Sequence, residues 1–212
     1  MRSIQLAVKR CFDILFSGVC IFILLPFWLL IIILIKITMP GPIFFKQERV
    51  GKNFEPFMVL KFRTMRVDKE AEKNFSFEKD LDRITVLGKF LRRSKLDETP
   101  QLINIFKGEM SVVGPRPTVL QRVEEFHEGQ EIRLSMSPGL TGISQVNGNV
   151  LLSWPRRIEY DCRYVKEFSL GLDIKIILKT VKVVFGGEEK YISEEDLKYH
   201  RNPFYDITHK TK

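Results

Sequence analysis

The sequence predicts an α+β protein, mainly helical, that is anchored to one face of a membrane as a monotopic membrane protein. Three observations predict this class: an unbroken uncharged stretch from Ile14 to Ile35, a strand-like alternation between Ile43 and Met65, and helical spacing of apolar residues from Val86 onward. A length of 212 residues suits one anchored domain. We predict a membrane helix over residues 1–38, a cytoplasmic domain resting on the membrane over residues 39–187, and a polar C-terminal tail over residues 188–212.

The uncharged stretch is about 22 residues long, and a helix that spans a bilayer needs roughly 20. Basic residues flank it on both sides: Arg2, Lys9 and Arg10 before it, and Lys36, Lys46, Arg49 and Lys52 after it. Because basic flanks favour the cytoplasm, both ends are expected on that side. Proline lacks an N–H and clashes with the preceding turn, so we expect a re-entrant helix broken at Pro26. A single kinked helix that spans the bilayer is the alternative.

The composition is basic, with 34 lysine and arginine residues against 26 aspartate and glutamate residues, and a net charge of +8. This balance suits anionic lipid, phosphorylated substrates and nucleic acid alike. Cys11, Cys20 and Cys162 lack metal-ligand spacing and fit a reducing cytoplasm. The histidines are scattered on polar stretches, which argues against a metal cluster or a catalytic triad.

The segment from Ile43 to Met65 predicts a β-hairpin whose turn lies at Gly51. In its second strand, apolar residues alternate with a face that carries Lys61 and Arg63, so we expect these two cations in register on the polar side. The charged, aperiodic stretch that follows, residues 67–83, predicts a loop or a weak helix.

Apolar spacing and helix start signals predict further helices. They cover residues 86–93, a segment that starts at Thr99-Pro100 and includes 102–106, and residues 118–126, 154–168 and 170–185; the stretch 137–142 has the composition of a turn. The last helix combines apolar residues with Lys175, Lys179 and Lys182, a pattern typical of an interfacial membrane helix. A helix that packs on the core and leaves its lysines solvated fits the same pattern.

Two short segments carry residues suited to chemistry, Arg92–Leu102 and Ser111–Pro117. The adjacent acids Asp97 and Glu98 would, in isolation, be a solvated helix start. Close to arginines they suit phosphoryl chemistry, because one carboxylate can attack phosphorus and a second can hold Mg²⁺. Arg116 lies between two prolines, so less ordering entropy is lost when its guanidinium binds a phosphate.

At these residues the sequence resembles a known family. Leu-Asp-Glu-x-Pro-Gln-Leu, Val-Gly-Pro-Arg-Pro and the stretch Pro-Gly-Leu-Thr-Gly-Ile-Ser-Gln-Val-Asn-Gly that ends at Gly148 look like the motifs of the bacterial sugar transferases, the small monotopic phosphoglycosyl transferases. The resemblance runs from about Lys9 to Phe185 and includes Lys-Phe-Arg-Thr-Met from position 61. The chain departs from residues common in the family at three positions, Leu25, Ser137 and Ile143.

The resemblance implies transfer of a sugar phosphate from a nucleotide diphosphate sugar, usually a UDP sugar, to undecaprenyl phosphate, with release of UMP. It implies that Asp97 is the nucleophile, that Glu98 binds Mg²⁺, and that Arg92 and Arg116 hold phosphate oxygens. Substrate contacts are implied for further residues at motif positions: Lys61, Gln145, Asn147 and Asp161. The family's membrane helix is re-entrant and bent at a central proline, here Pro26.

The implied location is the cytoplasmic face of the bacterial inner membrane, in contact with inner-leaflet lipids. We expect Asp97 to be exposed and to have an ordinary pKa of about 3.9, so that it is ionised at neutral pH.

Two other functions stay open at this point. One is transfer of a phosphoryl group or a nucleotide to a lipid without the sugar. The other is a non-catalytic, membrane-anchored basic module that binds anionic lipid or nucleic acid. The chain carries no nucleic-acid-binding motif, so we expect no nucleic acid partner. The sugar, the glycan pathway and the oligomeric state are left open by the sequence.

Overall fold

The computed structural model describes residues 2–67, 83–193 and 196. The elements in chain order are α1 (Arg2–Thr38), β1 (Phe44–Val50), β2 (Pro56–Phe62), α2 (Val86–Arg93), α3 (Gln101–Lys107), β3 (Ser111–Val113), α4 (Leu120–Val123), β4 (Gly139–Thr141), α5 (Ile143–Val146), α6 (Trp154–Glu167) and α7 (Leu170–Gly186). The prediction of a mainly helical fold with a small antiparallel sheet is confirmed. The predicted loop or weak helix over residues 67–83 lies almost wholly outside the described residues.

Helix α1 is one continuous helix of 37 residues with Pro26 inside it. The helix is therefore not interrupted at Pro26, because proline removes a single N–H and the turns on either side continue; the predicted bend at Pro26 stays a prediction. No residue from 18 to 27 is buried, and Phe22 is 80% exposed. The buried residues of α1 lie on both sides of this segment: Lys9, Asp13, Ser17, Trp28, Ile31 and Ile35. By length and composition, α1 is also the one helix in the described part of the chain that could cross a membrane.

Both ends of α1 are attached to later parts of the chain. Near its start, the ammonium of Lys9 donates to Asp173 of α7 at 2.6 Å. At its end, the guanidinium of Arg63 donates to the carbonyl oxygen of Met39. A straight helix of this length would extend about 55 Å, and contacts with the rest of the protein are made at both ends of it.

Strands β1 and β2 form the predicted antiparallel hairpin, with Phe45 opposite Lys61. The assignment of faces in β2 is only partly right. Phe57 and Val59 are buried and Met58 is exposed, which reverses the predicted alternation at the start of the strand. Arg63 is buried as well, so it does not share an open polar face with Lys61.

A second sheet was missed from the sequence. Strands β3 and β4 pair in parallel, with Ser111 opposite Gly139, in a region where residues 137–142 predicted a turn. Strands of three residues carry too little alternation to be recognised. Glycine is required at position 139, because a Cβ there would lie 2.1 Å from the backbone nitrogen of Gly114.

The helix predictions are confirmed for α2, α3, α6 and α7, whereas the helix expected over residues 118–126 is reduced to the single turn α4. Helix α7 fits both interpretations of its sequence. Ile176 and Val183 are buried in the core, while Ile174, Leu178 and Phe185 on another side are exposed, Phe185 at 87%. An exposed apolar stripe of this kind suits a membrane interface.

The beginning of the predicted loose tail packs against α6. Asp196 is buried and accepts hydrogen bonds from Arg156 Nε at 2.6 Å and from the hydroxyl of Tyr160 at 2.9 Å. The remainder of the tail lies outside the described residues.

Candidate active site

The acid pair lies on a 3₁₀ turn, Leu96–Glu98, between α2 and α3. Lys95 precedes the turn in the left-handed conformation, with φ of 58°, which ends α2 and redirects the chain. The N–H of Thr99 donates to the carbonyl of Leu96 at 3.2 Å and closes the turn. Asp97 is buried there and Glu98 is half-buried.

Lys61 reaches this turn from β2. Its Nζ donates to Glu98 Oε1 at 2.5 Å, and the two side chains are 27% and 24% exposed. The strand is held in place by Asn104 of α3, which accepts from the N–H of Leu60 at 3.1 Å and donates to the carbonyl of Met58 at 2.8 Å. The hairpin and the acid turn are therefore fixed relative to each other by α3.

Two predicted arginines reach the same region. Arg92 ends α2, and its Nε donates to the hydroxyl of Thr64 at 2.8 Å. Arg116 is half-buried in the loop after β3. The N–H of Val50 in β1 donates to the carbonyl of Thr118 at 2.8 Å, which holds this loop against the hairpin.

The two acids have different electrostatic environments. Burial, and then the neighbouring charge of Glu98, raises the pKa of Asp97 against the opposing charges of Lys61 and Arg92. Burial also acts to raise the pKa of Glu98, but the charges of Lys61 and Arg116 outweigh it and lower that pKa. Glu98 is a stable anion, whereas Asp97 is a buried and more basic carboxylate. The expectation of an exposed Asp97 with an ordinary pKa is wrong.

Asp161 of α6 is fully buried, and its carboxylate is enclosed by donors. Its Oδ2 accepts from the backbone N–H of Arg116 at 3.2 Å and from the guanidinium of Arg133, and its Oδ1 accepts from the hydroxyl of Ser144 at 2.8 Å. Burial raises the pKa of the Asp161 carboxyl, and the ion pair with Arg133 opposes this. This geometry does not support the implied substrate contact, and it makes Asp161 a residue that positions the backbone of Arg116.

Gln145 and Asn147 are also engaged within the protein. Gln145 is buried, and its Oε1 accepts from the hydroxyl of Ser144 at 2.9 Å. The Oδ1 of Asn147 accepts from the ammonium of Lys179 at 2.6 Å. The structure therefore separates the implied site residues into two groups. The charged group interacts at the acid turn and consists of Lys61, Arg92, Asp97, Glu98 and Arg116. The side chains of the second group bind other parts of the protein; its members are Gln145, Asn147 and Asp161.

Sequence reasoning missed two residues near the acid turn. Arg49 of β1, which the sequence indicated only as part of a basic flank, is half-buried close enough for Glu98 and Arg116 to act on its charge. Trp28 of α1 donates its indole N–H to the hydroxyl of Thr99 at 3.0 Å. The long helix thus contacts the residue that follows the acid pair. No motif spacing connects positions so far apart, so the sequence offered no signal for Trp28.

The residues present fit a magnesium site that is completed by substrate. The described part of the chain holds no group of three or more His, Cys, Asp or Glu side chains that could bind a metal ion. Mg²⁺ needs fewer protein ligands, because one or two carboxylates suffice when waters and substrate phosphates complete its shell. Glu98 is ionised, half-exposed and adjacent to a second carboxylate, which is the donor chemistry that Mg²⁺ prefers.

A carboxylate with a raised pKa, surrounded by cations, is suited to attack an anionic phosphorus centre. The cations reduce the repulsion between the two anions, and the raised pKa strengthens the nucleophile. The arrangement is compatible with group transfer at phosphorus.

Comparison with known proteins identifies the family. The family model described as bacterial sugar transferase matches residues 4–187, so the chain belongs to the bacterial sugar transferase family. The resemblance inferred from the motifs is confirmed.

Several relatives are similar over most of this chain. It is 38% identical over 199 residues to the UDP-glucose:undecaprenyl-phosphate glucose-1-phosphate transferase of Klebsiella pneumoniae, covering 90% of this chain and 43% of the relative. It is 38% identical over 199 residues to the exopolysaccharide production protein ExoY of Rhizobium meliloti (strain 1021), covering 87% and 88%. It is 37% identical over 201 residues to the undecaprenyl-phosphate galactose phosphotransferase of Salmonella typhimurium, covering 87% and 42%. The chain spans less than half the length of two of these relatives and most of the third.

Proposed function

We propose that this protein is a phosphoglycosyl transferase that moves a sugar 1-phosphate from a UDP sugar to undecaprenyl phosphate, an early membrane step in the assembly of a bacterial glycoconjugate. The names of two relatives describe transfer to undecaprenyl phosphate, with glucose in one and galactose in the other. The acid turn supplies the residues that such a reaction needs.

The proposed reaction has two steps that use one phosphorus atom. First, a carboxylate oxygen of Asp97 attacks the β-phosphorus of the donor, the bond from that phosphorus to the bridging oxygen breaks, and its electron pair leaves with UMP. Next, a phosphate oxygen of undecaprenyl phosphate attacks the same phosphorus, and the bond to Asp97 breaks. The carboxylate is restored, and the product is a polyprenyl diphosphate sugar.

The observation that carries this proposal is the difference between the two neighbouring carboxylates. Within the described residues, no hydrogen bond or ion pair engages the Asp97 carboxylate, so its oxygens are available to a substrate. Glu98 is instead held by Lys61 at 2.5 Å and stays ionised. One acid can act as the nucleophile while the other keeps a fixed negative charge.

The surrounding cations have separate tasks. Arg92 and Arg116 are suited to hold phosphate oxygens, because a guanidinium binds them bidentately. Lys61 orients Glu98. Mg²⁺, held by Glu98 and by substrate phosphates, would neutralise additional phosphate charge.

We further propose that α1 enters the inner membrane and returns to the cytoplasmic face. Two observations support this. The helix contacts the rest of the protein near Lys9 and again next to Met39, the residue that follows it, whereas no residue from 18 to 27 is buried and the apolar Phe22 and Phe27 are exposed. Trp28, just beyond the proline, holds the helix against the acid turn. The site would thus lie near the headgroups, where the phosphate of a lipid acceptor is found.

The reaction is tested by incubating the purified protein, in detergent or nanodiscs, with a panel of UDP sugars, with and without undecaprenyl phosphate and Mg²⁺. We expect UMP release with at least one sugar. Without acceptor, intact mass should increase by one sugar phosphate, and peptide mapping should place it on Asp97. Absence of UMP release with every sugar would reject the transferase assignment, and lipid product without sugar would favour simple phosphoryl or nucleotide transfer.

The topology has a separate test. A cysteine introduced at Ser3 should resist a membrane-impermeant thiol reagent in intact cells and react after the cells are opened. A cysteine at exposed Lys107 is the control for the cytoplasmic face. Labelling at position 3 in intact cells would show that α1 spans the membrane.

A further inference from the structure

We propose that Arg49 and Arg116 form a second phosphate-binding subsite beside the Lys61–Glu98 pair, and that this subsite takes a phosphate group of the donor or of the lipid acceptor. The inference deepens the proposed function. It rests on that function for the origin of the phosphate, and on the arrangement of side chains for the existence of the subsite.

The hairpin register places Arg49 on the same face as Lys61. Phe45 in β1 lies opposite Lys61 in β2, and Gln47 and Arg49 follow Phe45 at intervals of two residues. Opposite residues of an antiparallel pair point to the same side of the sheet, and so do alternate residues of one strand. This face therefore carries Gln47, Arg49 and Lys61, and Lys61 is the residue that binds Glu98.

Two contacts position the side chain of Arg49 and the loop that contains Arg116. Arg49 Nη2 donates to Gln47 Oε1 at 2.6 Å, which orients the guanidinium along the strand. The next residue, Val50, donates its N–H to the carbonyl of Thr118 at 2.8 Å, so the loop that contains Arg116 lies against the end of β1. Both guanidinium groups are half-buried on protein segments that are fixed by backbone hydrogen bonds.

The charges at this position favour binding of an anion. Burial, and then the charge of Arg116, lowers the pKa of Arg49 to about 10, with Glu98 opposing. In the part of the chain that the structure describes, no carboxylate forms an ion pair with Arg49 or Arg116, and Glu98 is already bound to Lys61. A phosphate would relieve the repulsion between the two guanidinium groups because it is an anion, and its oxygens would accept hydrogen bonds from both of them.

Two phosphates of the proposed reaction have this chemistry. One is the α-phosphate of the donor, which leaves in UMP. The other is the phosphate monoester of the lipid acceptor. The first assignment predicts that loss of Arg49 raises KM for the UDP sugar, and the second predicts that it raises KM for undecaprenyl phosphate.

The existence of the subsite is tested by calorimetric binding of inorganic pyrophosphate to the full chain. We expect Arg49→Gln to weaken pyrophosphate binding by about 10-fold, since a charged hydrogen bond is lost. Arg49→Lys should weaken it less, since the positive charge is kept and only the bidentate geometry of the guanidinium is lost. Lys46→Gln is the matched control. Lys46 is an exposed cation on the same strand with its side chain on the opposite face, so pyrophosphate affinity should not change.

The two readouts separate the inference from the proposed function. Unchanged pyrophosphate affinity in Arg49→Gln, or no binding by the wild type, overturns the subsite. If Arg49→Gln does not fold, as judged by its melting curve, Arg49→Lys decides the question by the same measurement. If pyrophosphate affinity depends on Arg49 but the wild type releases no UMP from any sugar, the subsite stands and the transferase assignment fails. If pyrophosphate affinity depends on Arg49 and the wild type also releases UMP, the substrate whose KM increases in Arg49→Gln identifies the phosphate that the subsite binds.

Discussion

Two buried aspartates of this chain, Asp161 and Asp97, differ in the hydrogen bonds that their carboxylates accept. Asp161 is enclosed by Arg133, by the hydroxyl of Ser144 and by the backbone N–H of Arg116, and both of its oxygens are used. Asp97 is buried too, yet among the described residues nothing donates a hydrogen bond to it. Burial raises the pKa of both carboxyl groups, so burial alone does not distinguish them.

The two carboxylates differ in how far hydrogen-bond donors and an ion-pair partner compensate their negative charge. The guanidinium carbon of Arg133 lies 5.3 Å from the centre of the Phe126 ring and 5.7 Å from that of Trp154, so aromatic faces offset part of its charge and the Asp161 cluster is closed to solvent. Both oxygens of Asp161 have donors, which holds its neighbours in place, whereas Nε and Nη1 of Arg133 are buried without a hydrogen-bond partner among the described residues and rely on these aromatic faces. A buried carboxylate that is not satisfied keeps its capacity for a substrate. Arg116 connects the Asp161 cluster with the acid turn. Asp161 accepts a hydrogen bond from the backbone N–H of Arg116, while the guanidinium charge of Arg116 acts on Glu98.

The largest expected effect is from Asp97→Asn. We expect turnover to fall by at least about 10³-fold, because the amide is not a nucleophile toward phosphorus. Folding raises the pKa of Asp97, so its ionised form destabilises the folded state at neutral pH. The melting temperature should therefore stay the same or rise. UMP release and thermal melting of the same sample check both statements, and an active Asp97→Asn variant would remove the nucleophile assignment.

Asp161→Asn, unlike Asp97→Asn, should mainly lower the stability of the fold. Removal of one partner from a buried ion pair leaves Arg133 uncompensated, which should lower the free energy of unfolding by about 3 kcal/mol. Activity should fall as well, because Arg116 loses the anchor for its backbone. Denaturant titration measures the stability.

The control for Asp161→Asn lies on the same helix. Glu167→Gln breaks an exposed i,i+4 pair with Arg163, whose side chains are 52% and 60% exposed, and should change stability by less than about 1 kcal/mol. Equal effects of the two substitutions would contradict the conclusion that the buried ion pair of Asp161 stabilises the fold.

The sequence predicted the elements with strong periodicity and missed those that depend on tertiary neighbours. Helix α2 has the bounds that its spacing indicated, whereas β3 and β4 are too short to show alternation and form only because each supplies the other's hydrogen bonds. The same limit applies to Asp97. Its neighbours in sequence suggested an exposed helix start, and the burial that raises its pKa comes from segments distant in the chain.

The buried position of Asp161 had a signal that went unused. Ile158, Asp161 and Val165 are spaced three and four residues apart, so they share one face of α6, and the two apolar residues mark that face as buried. An acid on the apolar face of a helix predicts a buried partner. Arg49 had a comparable signal, because the hairpin register follows from its turn and places alternate residues on one side.

Lys61→Gln tests the electrostatic coupling between the two carboxylates. The charge of Lys61 opposes the raised pKa of Asp97 and lowers the pKa of Glu98, so its removal should move the acid limb of kcat/KM for the donor to higher pH. Below that limb, protonation of Asp97 removes the nucleophile, so activity should rise with pH through it. We expect kcat/KM at neutral pH to fall by about 10-fold, as a charged hydrogen bond to Glu98 is lost.

The control for Lys61→Gln is Lys46→Gln, which removes an exposed cation from the opposite face of the hairpin and should leave the pH profile unchanged. A shift of the acid limb to lower pH in Lys61→Gln would show that Lys61 does not stabilise the ionised carboxylates.

The smallest expected effect concerns the contact between α1 and the acid turn. Trp28→Phe keeps an aromatic ring against Phe62 and removes the indole N–H that donates to Thr99. A neutral hydrogen bond contributes about 1 kcal/mol, so we expect kcat to fall by up to about 5-fold with an unchanged pH profile, because the turn is less well held while its charges stay. Phe27→Leu, at an adjacent position that is 59% exposed, should have no effect on kcat. If both variants have the kcat of the wild type, α1 serves only to keep the protein at the membrane. If only Trp28→Phe has a lower kcat, α1 also positions the acid turn.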